Sequence, residues 1–310
     1  MPEGPEVQSL TDGLREHVQH PSVRLIDSRI LGGRYLHKPP EGWEQLRERL
    51  PLSLHDVQNR GKFIYFKLSE GISLWSTLGM NGGWTLRQPH RHGRIELHLE
   101  HTLHADDDNV MNVRREVLTF FDSRNFGTFK VCFDEEELLA RLAKLGASWL
   151  HDEVTLELFQ ELLSRGGKPQ QRRLLAVFLM DQTKTSGIGN YILAEALYRA
   201  RIHPWARVGQ VAQNPELVKE LHAAIRDISY GSFEAQVASS RRRAGLPPLP
   251  PLKSPEAFLK SSHRRGCGGS FEMQVYGRTM CPRGYPVVRD VNGPHKRTIH
   301  WVPAVQTLGV

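Results

Sequence analysis

Cysteine is scarce in this chain of 310 residues, which holds only Cys132, Cys267 and Cys281. An odd number, widely spaced, fits a reducing compartment and excludes a disulfide framework. The segments around the later two, Cys-Gly-Gly-Ser and Cys-Pro-Arg-Gly, each lack the second cysteine of a C-x-x-C pair. They do not assemble a closed four-ligand zinc site, and neither a metal nor a cofactor is expected. Long apolar runs are missing as well. None approaches the roughly 20 residues of a membrane span, so no membrane partner is expected. The terminus Met-Pro-Glu-Gly-Pro-Glu has no basic or apolar leader region, which argues against a signal peptide and for an intracellular chain, cytoplasmic or nuclear. No internal repeat is found. A hydrophobic fraction of 39 % with a mean hydropathy of −0.44 excludes a wholly disordered chain, and the length suits more than one domain.

Acidic residues are the scarcer charge, 34 against 41 Lys and Arg, for a net +7 and a pI near 9.4. The shortage is local. Residues 241–310 carry twelve Lys/Arg and three acids, a balance of +9, while residues 1–240 stand at −2. A polyanionic partner is the simplest reason for such a block. The block also contains Phe271, Tyr276, Tyr285, Ile299, Trp301 and Val302, apolar residues that a solvated tail would not carry, so an ordered basic module is expected.

Periodicity divides the rest. Val7, Leu10, Leu14 and Val18 recur at spacings of three and four after Pro5, the stripe of one amphipathic helix. Short aromatic and branched runs follow at 52–57, 62–68, 73–78, 94–99, 117–121 and 127–133, with Asn81-Gly82-Gly83 as a turn signal. They read as an antiparallel sandwich or barrel. From Glu135 the pattern is helical, with helices expected over 135–145, 155–164, 169–181, 190–200 and 215–229. The stretch 243–255, with Pro247-Pro248-Leu249-Pro250-Pro251, is a loop or linker. Beyond it, 277–283 and 287–302 read as two short strands. The expected domains are 1–134 (a β-sandwich with an N-terminal helix), 135–240 (helical) and 241–310 (a basic loop and hairpin), an α+β architecture.

Several groups of residues could carry chemistry. Removal of Met1 would expose the secondary amine of Pro2, which near neutral pH is substantially unprotonated and able to attack a carbonyl-like carbon. Glu3 could shuttle protons and Glu6 could position the site. The same residues also suit an ordinary helix start. Ser186-Gly187-Ile188-Gly189-Asn190-Tyr191 follows a helical rather than a strand pattern, so a dinucleotide fold is excluded. It leaves either a phosphate seat at a helix N-terminus, with Asn190 as an added donor, or a plain corner between helices. Lys62 opens an aromatic strand, where a solvated strand end is the ordinary role. His98, His101 and His104, followed by Asp106–Asp108, are expected in a mobile, solvated loop rather than on a metal.

In their order along the chain, Pro-Glu-Gly-Pro-Glu at the terminus, Gly61-Lys62, Asp122-Ser123-Arg124-Asn125-Phe126-Gly127 and Met180-Asp181-Gln182…Gly187-Ile188-Gly189-Asn190-Tyr191…Ile202-His203-Pro204 resemble the formamidopyrimidine-DNA glycosylase/endonuclease VIII family. Lys296-Arg297-Thr298-Ile299-His300-Trp301 resembles the zincless finger of its endonuclease VIII-like 1 branch. The resemblance implies a helix-two-turn-helix domain and a metal-free β-hairpin finger. It implies a monomeric bifunctional glycosylase and AP lyase of base excision repair, acting on double-stranded and also single-stranded or bubble DNA with oxidised pyrimidines, hydantoins or abasic sites. By the same resemblance Pro2, Glu3 and Lys62 are catalytic, Glu6 supports them, Asn190 and Arg297 hold phosphate, and Met80, Arg124 and Phe126 fill the vacated stack or meet the orphan base. The competing readings are a non-catalytic damaged-DNA-binding protein on the same scaffold and an adaptor working through residues 247–255.

Overall fold

The computed structural model describes residues 2–18, 22–86, 89–104, 111–151, 153–243 and 271–307. Two compact units divide at Lys144/Leu145, with the short segment Glu3–Glu6 belonging to the second unit and Pro2 to the first.

The first unit contains α1 (Gly4–Val18, from Val7 onward), β1 (Val23–Ile30), α2 (Trp43–Arg49), β2 (Leu52–Arg60), β3 (Phe63–Leu68), β4 (Ser73–Thr77), β5 (Gly82–Thr85), β6 (Gly93–His104), β7 (Met111–Asp122), β8 (Thr128–Cys132) and α3 (Glu135–Ala143). The eight strands form one antiparallel order, β5-β7-β6-β1-β2-β3-β4-β8. β2 joins its halves, pairing β1 through Leu52 and Ser53 and β3 from Leu54 on. The halves face each other: the Trp84 ring on β5 lies 5.0 Å from Phe66 on β3 and 6.1 Å from Phe129 on β8. This is the expected sandwich, built by alternation. On β6, Ile95, Leu97 and Leu99 point into the core while Arg94, Glu96 and His98 do not. Val7, Leu14 and Val18 of α1 are buried in the same cluster.

The second unit contains β9 (Ala147–Ser148), α4 (Leu156–Ser164), α5 (Gly167–Arg172), α6 (Leu175–Leu179), β10 (Thr185–Ser186), α7 (Asn190–Arg199), α8 (Val208–Ala212), α9 (Pro215–Arg243), β11 (Val288–Asp290) and β12 (Ile299–Trp301). The expected helix 169–181 is two helices, because Arg173 and Leu174 are extended and Leu174 bridges to Arg207. α9 runs to Arg243, well past the expected end at Ser229. The expected strand 277–283 is not one: it is turns and a single bridge, Met280 to Pro286. The hairpin lies wholly within 287–302, with Val288 opposite Trp301 and Asp290 opposite Ile299. His98 and His101 stand in β6 rather than in a loop. Asp106–Asp108, Cys267 and the Pro-rich 247–255 lie outside the described residues. No helix among the described residues is long and apolar enough to cross a membrane.

Candidate active site and nucleic-acid contacts

In the second unit, Gly189 caps α7 without a side chain of its own, which leaves the first backbone N–H groups of the helix without an intrahelical acceptor. The Glu3 carboxylate takes them. Oε1 accepts from the Tyr191 N–H at 2.8 Å and Oε2 from the Ile192 N–H at 3.3 Å. Glu3 is 1 % exposed, and a buried carboxylate is tolerable at the positive end of a helix with donors on both oxygens. A Cβ on Gly189 would stand 2.2 Å from Glu3 Cδ, so the notch that admits the carboxylate exists only for glycine. The backbone is joined as well: the Gly4 N–H donates to the Gly187 carbonyl at 2.9 Å. Gly187 has φ 107°, a conformation that suits glycine, and a Cβ on Gly4 would come within 3.0 Å of its Cα. The two glycine motifs, with Gly4 and Gly187 183 positions apart in sequence, are thus halves of one junction.

Glu6 closes that junction. Its Oε2 accepts from the Glu3 N–H at 2.9 Å and its Oε1 from the Tyr191 hydroxyl at 3.1 Å, while Ser232 lies within 3.2 Å. Burial, reinforced by the charges of Glu6 and Glu3, holds the Tyr191 phenol well above its ordinary range, so it remains a donor. Gln182 braces the glycine turn by donating to the Ile188 carbonyl and accepting from the Gly187 N–H, each at 3.0 Å.

Asn190, the first residue of α7, donates from Nδ2 to the Thr298 carbonyl at 2.7 Å. A carbonyl can only accept, so Oδ1 faces His295, and at 2.7 Å the His295 Nε2 must be the donor. The hairpin tip is fixed by Lys296, whose N–H bonds the Gly293 carbonyl and whose φ is 60°. That turn leaves Arg297 exposed one residue from the Asn190 contact at Thr298. The Arg297 backbone is therefore held beside Asn190 by the contacts of its neighbours His295 and Thr298. Below them the buried Glu195 carboxylate on α7 accepts from the backbone N–H groups of Gln274, Val275 and Tyr276 at 2.8–2.9 Å. It holds the 274–276 segment to the helix. Cys281 is buried beside Tyr198, whose hydroxyl is pushed up to about 12 by burial and by the thiol.

In the first unit the loop after β7 is organised by Asp122, buried at the strand end. It accepts from the Arg124 N–H at 3.0 Å and the Gly127 N–H at 2.6 Å. Gly79 (φ 60°) packs its turn so tightly against this loop that a Cβ would stand 2.6 Å from the Gly127 nitrogen. Met80 on that turn and Phe126 are 38 % and 59 % exposed, and Arg124 Nη1 lies 3.3 Å from Met80 Sδ. The three residues expected to meet the stack and the orphan base thus form one exposed group. Lys62 sits on the two-residue turn between β2 and β3, after Gly61 (φ 55°). Pro2, half buried, precedes Glu3 directly.

Sequence reasoning missed Glu195, His295 and Gln182. Glu195 had a signal, a single acid in the otherwise apolar stretch Ile192–Leu197.

Comparison with known proteins bears on the same residues. The N-terminal domain of formamidopyrimidine-DNA glycosylase matches residues 1–129, and the helix-two-turn-helix (H2TH) domain of that enzyme matches residues 145–243. The formamidopyrimidine-DNA glycosylase of Xanthomonas campestris is 31 % identical across 90 % of this chain and 89 % of its own length. That of Thermus thermophilus is 28 % identical across the whole of both. Among solved structures, the Lactococcus lactis enzyme bound non-covalently to DNA containing an AP site superposes with a TM-score of 0.70 at 22 % identity, over 98 % of this chain and 99 % of that one. The chain belongs to the formamidopyrimidine-DNA glycosylase family.

Proposed function

We propose that this chain is a bifunctional DNA glycosylase and AP lyase of base excision repair, acting inside the cell on DNA with an oxidised base or an abasic site. The observation that carries the reading is the docking of Glu3 in the Gly189 notch, which fixes the residue next to Pro2 at the positive end of α7. Once Met1 is removed, the Pro2 amine attacks C1′ of an extruded nucleotide, since a stacked one is out of reach. The bond from C1′ to the base breaks, the base leaves with a proton, and opening of the sugar ring gives an iminium. Glu3 assists proton transfer to the ring oxygen, and Glu6 holds Glu3. Lys62 meets a phosphate near the lesion. β- and then δ-elimination release the phosphates on either side, and hydrolysis frees Pro2. No cofactor is called on.

Asn190 has a second amide N–H beyond the one given to Thr298, and with Arg297 beside it the pair suits one phosphate. Met80 is an unbranched apolar wedge that suits insertion into the vacated stack, with Arg124 and Phe126 at the orphan base. The finger reads as zincless, with Cys281 buried against Tyr198, and by its resemblance the preferred lesions are oxidised pyrimidines and hydantoins.

Borohydride trapping tests the chemistry. Wild type and abasic DNA should give a covalent adduct, and Pro2→Gly should lose it together with base excision. An active wild type that gives no adduct refutes the iminium.

A further inference from the structure

Three apolar rows of the first unit end in the same place. The core-facing row of β6 runs Ile95, Leu97, Leu99 and then His101, which is itself buried. On β7 the row Phe120, Leu118 continues to Glu116, placed opposite Leu99 in the strand register and diagonal to His101. On α1 the stripe that includes Leu10 and Leu14 reaches His17 one turn later. On β6 and β7 a side chain with a metal-binding atom takes the place of the next hydrophobe, and on α1 His17 stands beside Val18, the buried residue that ends the stripe. His17 Nε2 and His101 Nε2 both face Glu116 Oε2, the first in direct contact and the second at 3.4 Å. All three ligand atoms lie within 4.8 Å of one another. Arg114 pairs with the other oxygen, Oε1, and leaves Oε2 to the histidines.

We propose that His17, His101 and Glu116 bind a divalent transition metal, zinc by preference. Two imidazoles and a carboxylate are a ligand set that zinc takes, with water in the fourth position. Ligand atoms about 2.1 Å from a tetrahedral ion stand roughly 3.4 Å apart, the separation already present between His101 and Glu116. Water and the ion have a way in, since the His17 and Glu116 side chains are 23 % and 13 % exposed. The ion would staple the end of α1 to two neighbouring strands. Its role is stability of this unit, and it rests on none of the residues assigned to catalysis or DNA.

The test uses the full chain, dialysed against zinc and then against metal-free buffer. One zinc per chain should remain, with a raised melting temperature. His17→Gln and Glu116→Gln, at the two more exposed positions, should each lose both effects while keeping the wild-type circular dichroism. Cobalt in place of zinc should show ligand-field bands without a sulfur charge-transfer band. The site is refuted if no zinc is retained, if both variants retain it, or if the sulfur band appears, which would put the ion on cysteine. A short ion-paired His–Glu–His cluster that binds nothing corresponds to the first of these outcomes.

Discussion

Replacing Glu3 with Gln tests whether its carboxylate is a charged helix cap as well as a proton carrier. The side chain keeps its size, so the Gly189 notch is still filled. What changes is charge and donor count. Both carboxylate oxygens now accept backbone N–H bonds of α7, whereas an amide offers one oxygen and turns its NH2 toward the other N–H. One charge-assisted bond worth about 1.5–3 kcal/mol is lost, and the favourable interaction of the charge with the helix dipole, about 0.3–2 kcal/mol, goes with it. We expect a destabilisation of about 2–4 kcal/mol, which for a unit of this size is a melting shift of about 5–15 °C. Differential scanning calorimetry on wild type and variant reads this directly, and the transition that moves should be that of the second unit. Borohydride trapping, run well below both transitions, then reports the chemical role separately. If Glu3→Gln melts with wild type, the carboxylate is not a charged cap and the argument from its charge fails. A lost adduct with unchanged melting would leave only a proton-transfer role.

Gly189→Ala, whose Cβ would meet Glu3 Cδ at 2.2 Å, should cost at least as much as Glu3→Gln, while Gly13→Ala, with open space around it in α1, should stabilise by about 0.5–1 kcal/mol; equal effects in calorimetry would contradict the geometry. Burial, with the Arg297 charge second, holds the His295 imidazole below its ordinary range. A depressed histidine favours the folded state above its unfolded pKa of about 6.5 and loses that advantage as pH falls below it. Stability should therefore fall as pH drops through about 6.5, and His295→Gln should reduce that fall; an unchanged pH slope in the variant would show that His295 is not the group responsible. Arg297→Ala should weaken DNA binding and make its salt dependence shallower by about one phosphate contact, read by titration at several salt concentrations.

Local signals in the sequence were sufficient for the sheet and most helices because each rested on a short period. Alternation along 94–99 and the three-four spacing after Pro5 depend only on near neighbours, and both elements form as read. The breaks were less visible. Nothing in the apolar run Leu174–Met180 says that Arg173 and Leu174 are extended; that follows from the bridge between Leu174 and Arg207, a tertiary contact. The hairpin strand was misplaced for a similar reason. Gly277–Arg283 is closed on itself by local turns: the Arg278 N–H donates to the Val275 carbonyl and the Cys281 N–H to the Tyr285 carbonyl, bonds that short-range pattern does not reveal. Resemblance picks out Pro2, Glu3, Asn190 and Arg297 and sets Arg297 opposite Asn190, whereas the docking of Glu3 on the start of α7 has no local signal, since Glu3 and Tyr191 stand more than a hundred residues apart.

The deeper reason lies in three buried acids. Glu3, Asp122 and Glu195 are each 1 % exposed, and composition would send such residues to the surface. Each instead accepts backbone N–H groups: two at the start of α7, two in the loop that carries Arg124 and Phe126, and three in the segment leading to the finger. A buried carboxylate held this way is costly unless every donor is in place, so it fixes the loop around it more sharply than apolar packing does. The segments that carry Pro2, the group Met80, Arg124 and Phe126, and the hairpin tip with Arg297 are irregular chain with few hydrophobic residues to set their shape. Carboxylates supply that shape from inside. It follows that replacing any of the three by its amide should loosen the segment around it most, with the sheet and the helical core still folded. Hydrogen exchange should rise most in the segment around the replaced acid, above any uniform rise that a lower melting point brings to its unit.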